Sequence, residues 1–184
     1  VVAADGGADL CRAAGREPDA IVGDLDSIRD PSGLVRDEDQ DTSDADKLLA
    51  YFEREGAAAV TLIGVEGDRL DHVLGTLYSC ARSSLSCRLA LRAGACFVRK
   101  ANTSETWRCS GRVSLIPLGR CRVSLTGVLW PLHDAVLEPL GLVSLSNEAL
   151  GERLDLVVHE GVAALFLSDG ASPRVETMPE QASS

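Results

Sequence analysis

No run of apolar residues in this chain approaches the roughly 20 that an α-helix needs to cross a bilayer, so a membrane-spanning helix is not expected. The opening Val1-Val2-Ala3-Ala4-Asp5 has no basic start, signal-like apolar core or Arg- and Ser-rich transit pattern. The chain reads as if it opened inside a domain, and a first strand is expected to be missing from it. The six cysteines (Cys11, Cys80, Cys87, Cys96, Cys109, Cys121) include no C-x-x-C pair, and no histidine stands at zinc-finger spacing, which argues against structural zinc. They read instead as reduced, partly buried thiols in a cytoplasmic setting. A basic excess is also lacking: the net charge of -10 argues against a nucleic-acid partner, whose phosphates call for a basic footprint.

What is present is enough apolar material for a core, 45% of 184 residues, with 25% charged, in one domain or two small ones. The acids are unevenly placed. Residues 1–92 hold 18 of the 28 acids against 10 bases, and 13 of the 16 aspartates, whereas residues 93–184 are close to neutral. The two halves are expected to do different work.

In the first half, apolar runs end in polar clusters three times. Val1 to Ala4 runs into Asp5-Gly6-Gly7 and a helix closed by Gly15. A glycine turn of this kind lets backbone N–H groups approach a ligand, although it lacks the G-x-G-x-x-G spacing and is also common in plain α/β turns. Ala20 to Gly23 runs into Asp24-Leu25-Asp26, whose carboxylates in an extended segment share one side with Cα atoms roughly 6.5 Å apart. Their mutual repulsion invites a divalent cation, the alternative being two solvated loop acids. Between these units, residues 29–40 read as a loop with a short helix or strand around Leu34-Val35. Ala57 to Gly64 is the clearest strand and leads to Asp68-Arg69-Leu70-Asp71-His72, followed by a helix with Leu70, Val73, Leu74, Leu77 and Ala81 at 3.6-residue spacing.

Between the second and third units, Asp41-Thr42-Ser43-Asp44-Ala45-Asp46-Lys47 concentrates carboxylates, hydroxyls and a lysine at a helix start. Thr42 or Ser43 is suited to the N-cap, and Leu48, Leu49 and Phe52 share a face until Gly56. Acids there suit the helix dipole as simple caps, but Lys47 works against it, which points to an anion. Strand–loop–helix units in series predict a Rossmann-like, mostly parallel α/β sheet with its sites at the strands' C-terminal ends. Beyond about residue 85, short β-like segments at 88–91, 96–99, 105–109, 112–116, 121–125, 154–158 and 162–167 predict a small antiparallel β-sandwich. The expected domains are 1–92 and 93–184.

Taken together, the motifs resemble the thiamine pyrophosphokinase family, closest to its plant-like, eukaryotic branch. The resemblance is carried by Ala4-Asp5-Gly6-Gly7-Ala8, Pro18-Asp19 with Gly23 to Ile28, and Gln40-Asp41-Thr42-Ser43-Asp44 with Lys47. It continues through Gly64 to His72, Leu115 to Gly119, Gly127 to Trp130 and Gly141 to Glu148, so it covers nearly the whole chain. It implies a magnesium- and ATP-binding α/β domain, a thiamine-binding β-sandwich, a homodimer with active sites between subunits, and pyrophosphoryl transfer from ATP to thiamine.

On that resemblance Asp24, Asp26 and Asp44 are the metal ligands, and catalysis falls to them with Lys47, Arg69 and Asp71. The nucleotide would meet Asp5, Gly6, Gly7, Gln40, Ser43 and His72; thiamine would meet Trp130, Ser144, Ser146 and Asn147. The departures are Asp68 where glycine is frequent, Ser43 where threonine is usual, and atypical segments at 131–134 and 162–167. A catalytically inactive thiamine- or nucleotide-binding homologue and a pyrophosphokinase with a pterin-like acceptor are the alternative readings.

Overall fold

Two patterns of burial follow from the two patterns of sequence. In the computed structural model the described residues are 1–4, 7–23, 34–36, 42–67, 69–151, 153–168 and 176–177. Their contacts form two units, Val1–Val60 with Gly64–Ser86, and Thr61–Ile63 with Cys87–Ser184.

The first unit holds a three-stranded parallel sheet. Strand β1 (Val2–Ala4) pairs with β2 (Ala20–Gly23), which pairs with β3 (Leu34–Arg36); Ala4 lies opposite Val22, and Gly23 opposite Arg36. The segment foreseen as a short helix or strand near Leu34 is therefore a strand. Helix α1 (Gly7–Ala13) follows β1, and Gly15 takes the chain out of it at φ 75°, a conformation glycine adopts without strain. Ala3, Ala8 and Ile21 form a small core with Cys11 against it. Helix α2 (Asp44–Arg54) packs on β1, β2 and helix α3 (Leu70–Arg82), burying Leu48 and Leu49.

Two expectations for this half need correction. The strand over Ala57 to Gly64 forms as β4 (Ala59–Ile63), but it does not extend the parallel sheet. It lies beside β5 (Ser86–Leu91) at the margin of a six-stranded sheet whose pairings from β5 onward are antiparallel. The fold is thus mixed α/β with mainly antiparallel pairing. Ser86 N–H reaches Ala58 C=O at 3.0 Å, which seats β5 beside β4, and β5 then leads into its antiparallel partner β6 (Gly94–Lys100). The apolar stripe of α3 is also only partly inward. Leu77 and Cys80 are buried, whereas Leu70 and Leu74 are exposed.

The second unit is built of antiparallel strands whose side chains alternate inward and outward. One sheet has the order β10 (Leu132–Leu137), β9 (Cys121–Thr126), β12 (Leu154–Glu160), β7 (Thr103–Trp107), β14 (Glu176–Thr177). The other runs β11 (Ser144–Ala149), β8 (Gly111–Pro117), β13 (Val162–Ser168), β6 (Gly94–Lys100), β5, β4. Val123, Leu125, Leu154, Leu156 and Val158 from the first meet Phe97, Val113, Leu115 and Leu165 from the second in one core, the interior of a β-sandwich. Within it Phe97 and Trp107 pack with ring centroids 4.4 Å apart. Arg99 lies 5.4 Å and 5.3 Å from those rings and pairs with Glu105 at 2.8 Å. Strands β10 and β11 were not foreseen; their alternation is interrupted by bulges between Leu132 and Ala135 and between Ser144 and Asn147.

Candidate active site

The stretch richest in candidates begins α2. Ser43 is the N-cap, with φ -75° and ψ 161°, and forms a capping box with Asp46: Asp46 N–H donates to Ser43 Oγ, and Ser43 N–H donates to the Asp46 carboxylate at 3.2 Å. The other Asp46 oxygen accepts from Arg82 at 2.7 Å, tying the start of α2 to the last turn of α3. Burial works to raise the Asp46 carboxyl, but hydrogen bonds from Ser43, Ser79 and Arg82 outweigh it and hold the group down at about 2. Asp46 and the Ser43 hydroxyl are therefore both engaged at the helix start.

Asp44, one turn back, is exposed, whereas Lys47 is 4% exposed. Among the described residues no carboxylate forms an ion pair with the Lys47 ammonium. A buried cation so placed is complementary to an anion, because an unpaired ammonium out of water is costly.

Asp5, Gly6, Asp24, Asp26 and Gln40 lie outside the described residues, and so does the expected placement of Asp24 and Asp26 on one side of an extended segment. The framework next to them is described: β1 leaves at Ala4 and β2 at Gly23, the same edge of the parallel sheet, and Gly7 opens α1. No group of three or more His, Cys, Asp or Glu among the described residues is arranged to hold a metal ion.

Arg69 precedes α3 and forms a two-pronged pair with Asp71, Nε to Oδ1 at 3.3 Å and Nη2 to Oδ2 at 2.6 Å. Both side chains are exposed; the hydrogen bond with Asp71 raises the Arg69 guanidinium, and the same bond from Arg69 lowers the Asp71 carboxyl. Asp71 thus braces the Arg69 guanidinium from two residues away. His72 is exposed in the first turn of α3.

In the second unit Trp130 stands 61% exposed while Asn147 is 1% exposed. Asn147 spends its amide on main chain: Nδ2 donates to Trp130 C=O at 2.7 Å, and Oδ1 accepts from Trp130 N–H at 3.1 Å and Glu148 N–H at 2.9 Å. Ser146 is exposed in the bulge at φ 54°, its N–H donating to Ser114 Oγ at 3.0 Å, and Ser144 is half-buried.

Comparison with known proteins follows the same division of the chain. The family model for the thiamin pyrophosphokinase catalytic domain matches residues 1–91, and that for the thiamin pyrophosphokinase vitamin B1 binding domain matches residues 105–162. The chain belongs to the thiamin pyrophosphokinase family.

Among its relatives, thiamine pyrophosphokinase 1 of Oryza sativa subsp. japonica is 31% identical over 156 residues, 71% of this chain and 59% of the relative. Thiamine pyrophosphokinase 1 of Arabidopsis thaliana is 29% identical over 163 residues, 75% of this chain and 61% of the relative. The chain thus spans about three-fifths of the length of these relatives. The fold matches the crystal structure of thiamine pyrophosphokinase from Bacillus subtilis with a TM-score of 0.77 at 22% identity, covering 91% of this chain and 86% of that one. It matches thiamin pyrophosphokinase from Candida albicans with a TM-score of 0.72 at 16% identity, covering 91% and 82%.

Within the family frame, every candidate from Asp5 to His72 falls in the catalytic match, and Trp130, Ser144, Ser146 and Asn147 fall in the vitamin B1 match. Arg82 and Ser79 went unnoticed in the sequence, because their partnership with the α2 start spans 36 residues and leaves no local signal.

Proposed function

We propose that the chain transfers a pyrophosphoryl group from ATP to thiamine. The hydroxyethyl oxygen of thiamine bonds to the β-phosphorus, the bond from that phosphorus to the α,β-bridging oxygen breaks, and AMP leaves. The observation that carries the reading is the succession on one chain of a catalytic-domain match and a vitamin B1 binding match. Such a transfer needs charge neutralisation and in-line positioning more than covalent help from the protein.

Lys47 is the residue of α2 best suited to the polyphosphate, being a buried cation with no ion-pair partner among the described residues. Asp24, Asp26 and Asp44 would hold magnesium, since three carboxylates form the hard-oxygen donor set that this ion prefers. Bound there, magnesium supplies neutralising charge at the phosphate oxygens. Asp44 accepts the hydroxyl proton, and Arg69, steadied by Asp71, faces charge on the transferred group. Asp5, Gly6, Gly7, Gln40, Ser43 and His72 serve the nucleotide. The exposed indole of Trp130 suits a flat cationic heterocycle, with Ser144 and Ser146 of β11 offering hydrogen bonds and Asn147 holding the Trp130 main chain.

In this reading residues 1–92 form a Rossmann-like nucleotide domain, supported by the parallel pairing of β1, β2 and β3, and residues 93–184 the thiamine domain. A homodimer is proposed from the family resemblance, and a cytoplasmic location from the six free thiols.

The full chain with ATP, magnesium and thiamine should release AMP and form thiamine diphosphate. Absence of both products would sink the proposal. Asp24→Asn should lower turnover by at least about 100-fold with thermal unfolding unchanged; unchanged turnover removes Asp24 from the site.

A further inference from the structure

The loop that presents Trp130 is stitched to β11 along its length. Gly127 C=O accepts from Leu150 N–H at 2.9 Å, Val128 bridges Ala149, and Leu129 N–H donates to Glu148 C=O at 2.8 Å. At Trp130 main-chain pairing with β11 gives way to the Asn147 side chain, which takes both the N–H and the C=O of that one residue. The bulge makes this possible. Ser146, at φ 54° and anchored to Ser114, absorbs the extra residue, so that Asn147 turns inward while Leu145 and Ser146 stay exposed.

An amide is the side chain that meets both needs, offering a donor and an acceptor from one planar group. An apolar residue here would leave the Trp130 peptide groups unpaired. The amide's use on main chain also limits what it can offer a ligand: both of its heavy polar atoms are engaged, and the residue is 1% exposed.

We infer that Asn147 is a positioning residue for thiamine, acting through Trp130: it fixes the Trp130 backbone so that the indole is already oriented when the heterocycle arrives, and it does not itself touch the substrate. Ordering the loop before binding removes an entropic cost that binding would otherwise meet. The inference rests on the thiamine reading above and sharpens the assignment of Asn147 within it.

A double-mutant cycle with Trp130 tests it on the full chain. Asn147→Ala should raise KM for thiamine about tenfold with kcat within about threefold and KM for ATP unchanged, because substrate orientation rather than chemistry is disturbed. Amide exchange at residues 127–130 should quicken without any ligand. In a Trp130→Ala background, adding Asn147→Ala should change KM for thiamine by less than about twofold. Asn147→Asp, which keeps the acceptor and loses the donor, should fall between wild type and alanine, and it carries the same test if the alanine variant does not fold.

A full additional effect of Asn147→Ala without Trp130, or unchanged exchange at 127–130 in either variant, overturns the inference in favour of direct contact with substrate. A wild-type chain that does not bind thiamine overturns both readings, whereas one that binds and shows additive variants overturns this one alone.

Discussion

The start of α2 and the bulge of β11 solve the same problem by different means. Each contains main-chain N–H groups that regular pairing leaves over, and each recruits a short polar side chain to satisfy them. At α2 the partners are three residues apart, Ser43 and Asp46, so the solution is local. At β11 the partners are Asn147 and Trp130, 17 residues apart, and the solution exists only once the loop has met the strand. Both ties leave a functional candidate beside them, Lys47 in one case and Trp130 in the other. The comparison teaches that a polar residue inside a binding motif can be scaffolding while its neighbour faces the ligand.

The strongest way to break the β11 end is to disturb the chain where the Trp130 loop begins. A Cβ on Gly127 would meet Arg153 C=O at 2.1 Å with φ at 78°, so Gly127→Ala should cost about 3 kcal/mol, read by urea unfolding. Near-wild-type stability would mean that the loop relaxes freely and that its geometry is not specified here.

At α2, Lys47→Met should lower turnover about 100-fold while preserving or raising the melting temperature, since it removes a buried charge that no described carboxylate pairs. A fall in stability with turnover intact would make Lys47 the scaffold instead.

Asp46→Asn should do the opposite, costing about 1–2 kcal/mol with turnover little changed, a figure discounted because Arg82 is mostly exposed. Its pH dependence has a definite sign. The folded-state value of about 2 lies below the ordinary 3.8, so the contribution is complete above the ordinary value and is lost as pH falls through about 2. The stability gap between wild type and Asp46→Asn should therefore be constant near neutrality and shrink between pH 4 and about 2. A gap that stays flat over that range would contradict the capping network.

The smallest effect is expected at the exposed Arg69–Asp71 pair, where Asp71→Asn should leave the melting temperature unmoved. Its consequence should appear as reduced turnover, and a shifted melting temperature would assign the pair to stability.

Legibility followed the same division between local and distant. The caps and stops of α1 and α2, with Gly15 and Gly56 at φ 75° and 74°, were readable because a helix end is decided within a few residues. The alternating strands β8, β9 and β12 were readable because one face of each is buried. Strands β10 and β11 were not, since a bulge breaks the period on which the reading depends. The stripe of α3 gave the helix correctly but not its buried face, since Leu70 and Leu74 keep helical spacing while standing in the open.

By itself, then, the sequence determined the family, through the order of short motifs from Ala4-Asp5-Gly6-Gly7 to Ser146-Asn147-Glu148, and it determined the helix starts, through side chains that bond to their own neighbours. Tertiary structure alone decided that β4 pairs beside β5 and not beside the parallel strands, that Asp46 belongs to Arg82, and that Asn147 belongs to Trp130. Partners 17 or 36 residues apart leave no periodicity in a sequence, and burial, which makes leaving a polar group unpaired costly, exists only when the chain has folded.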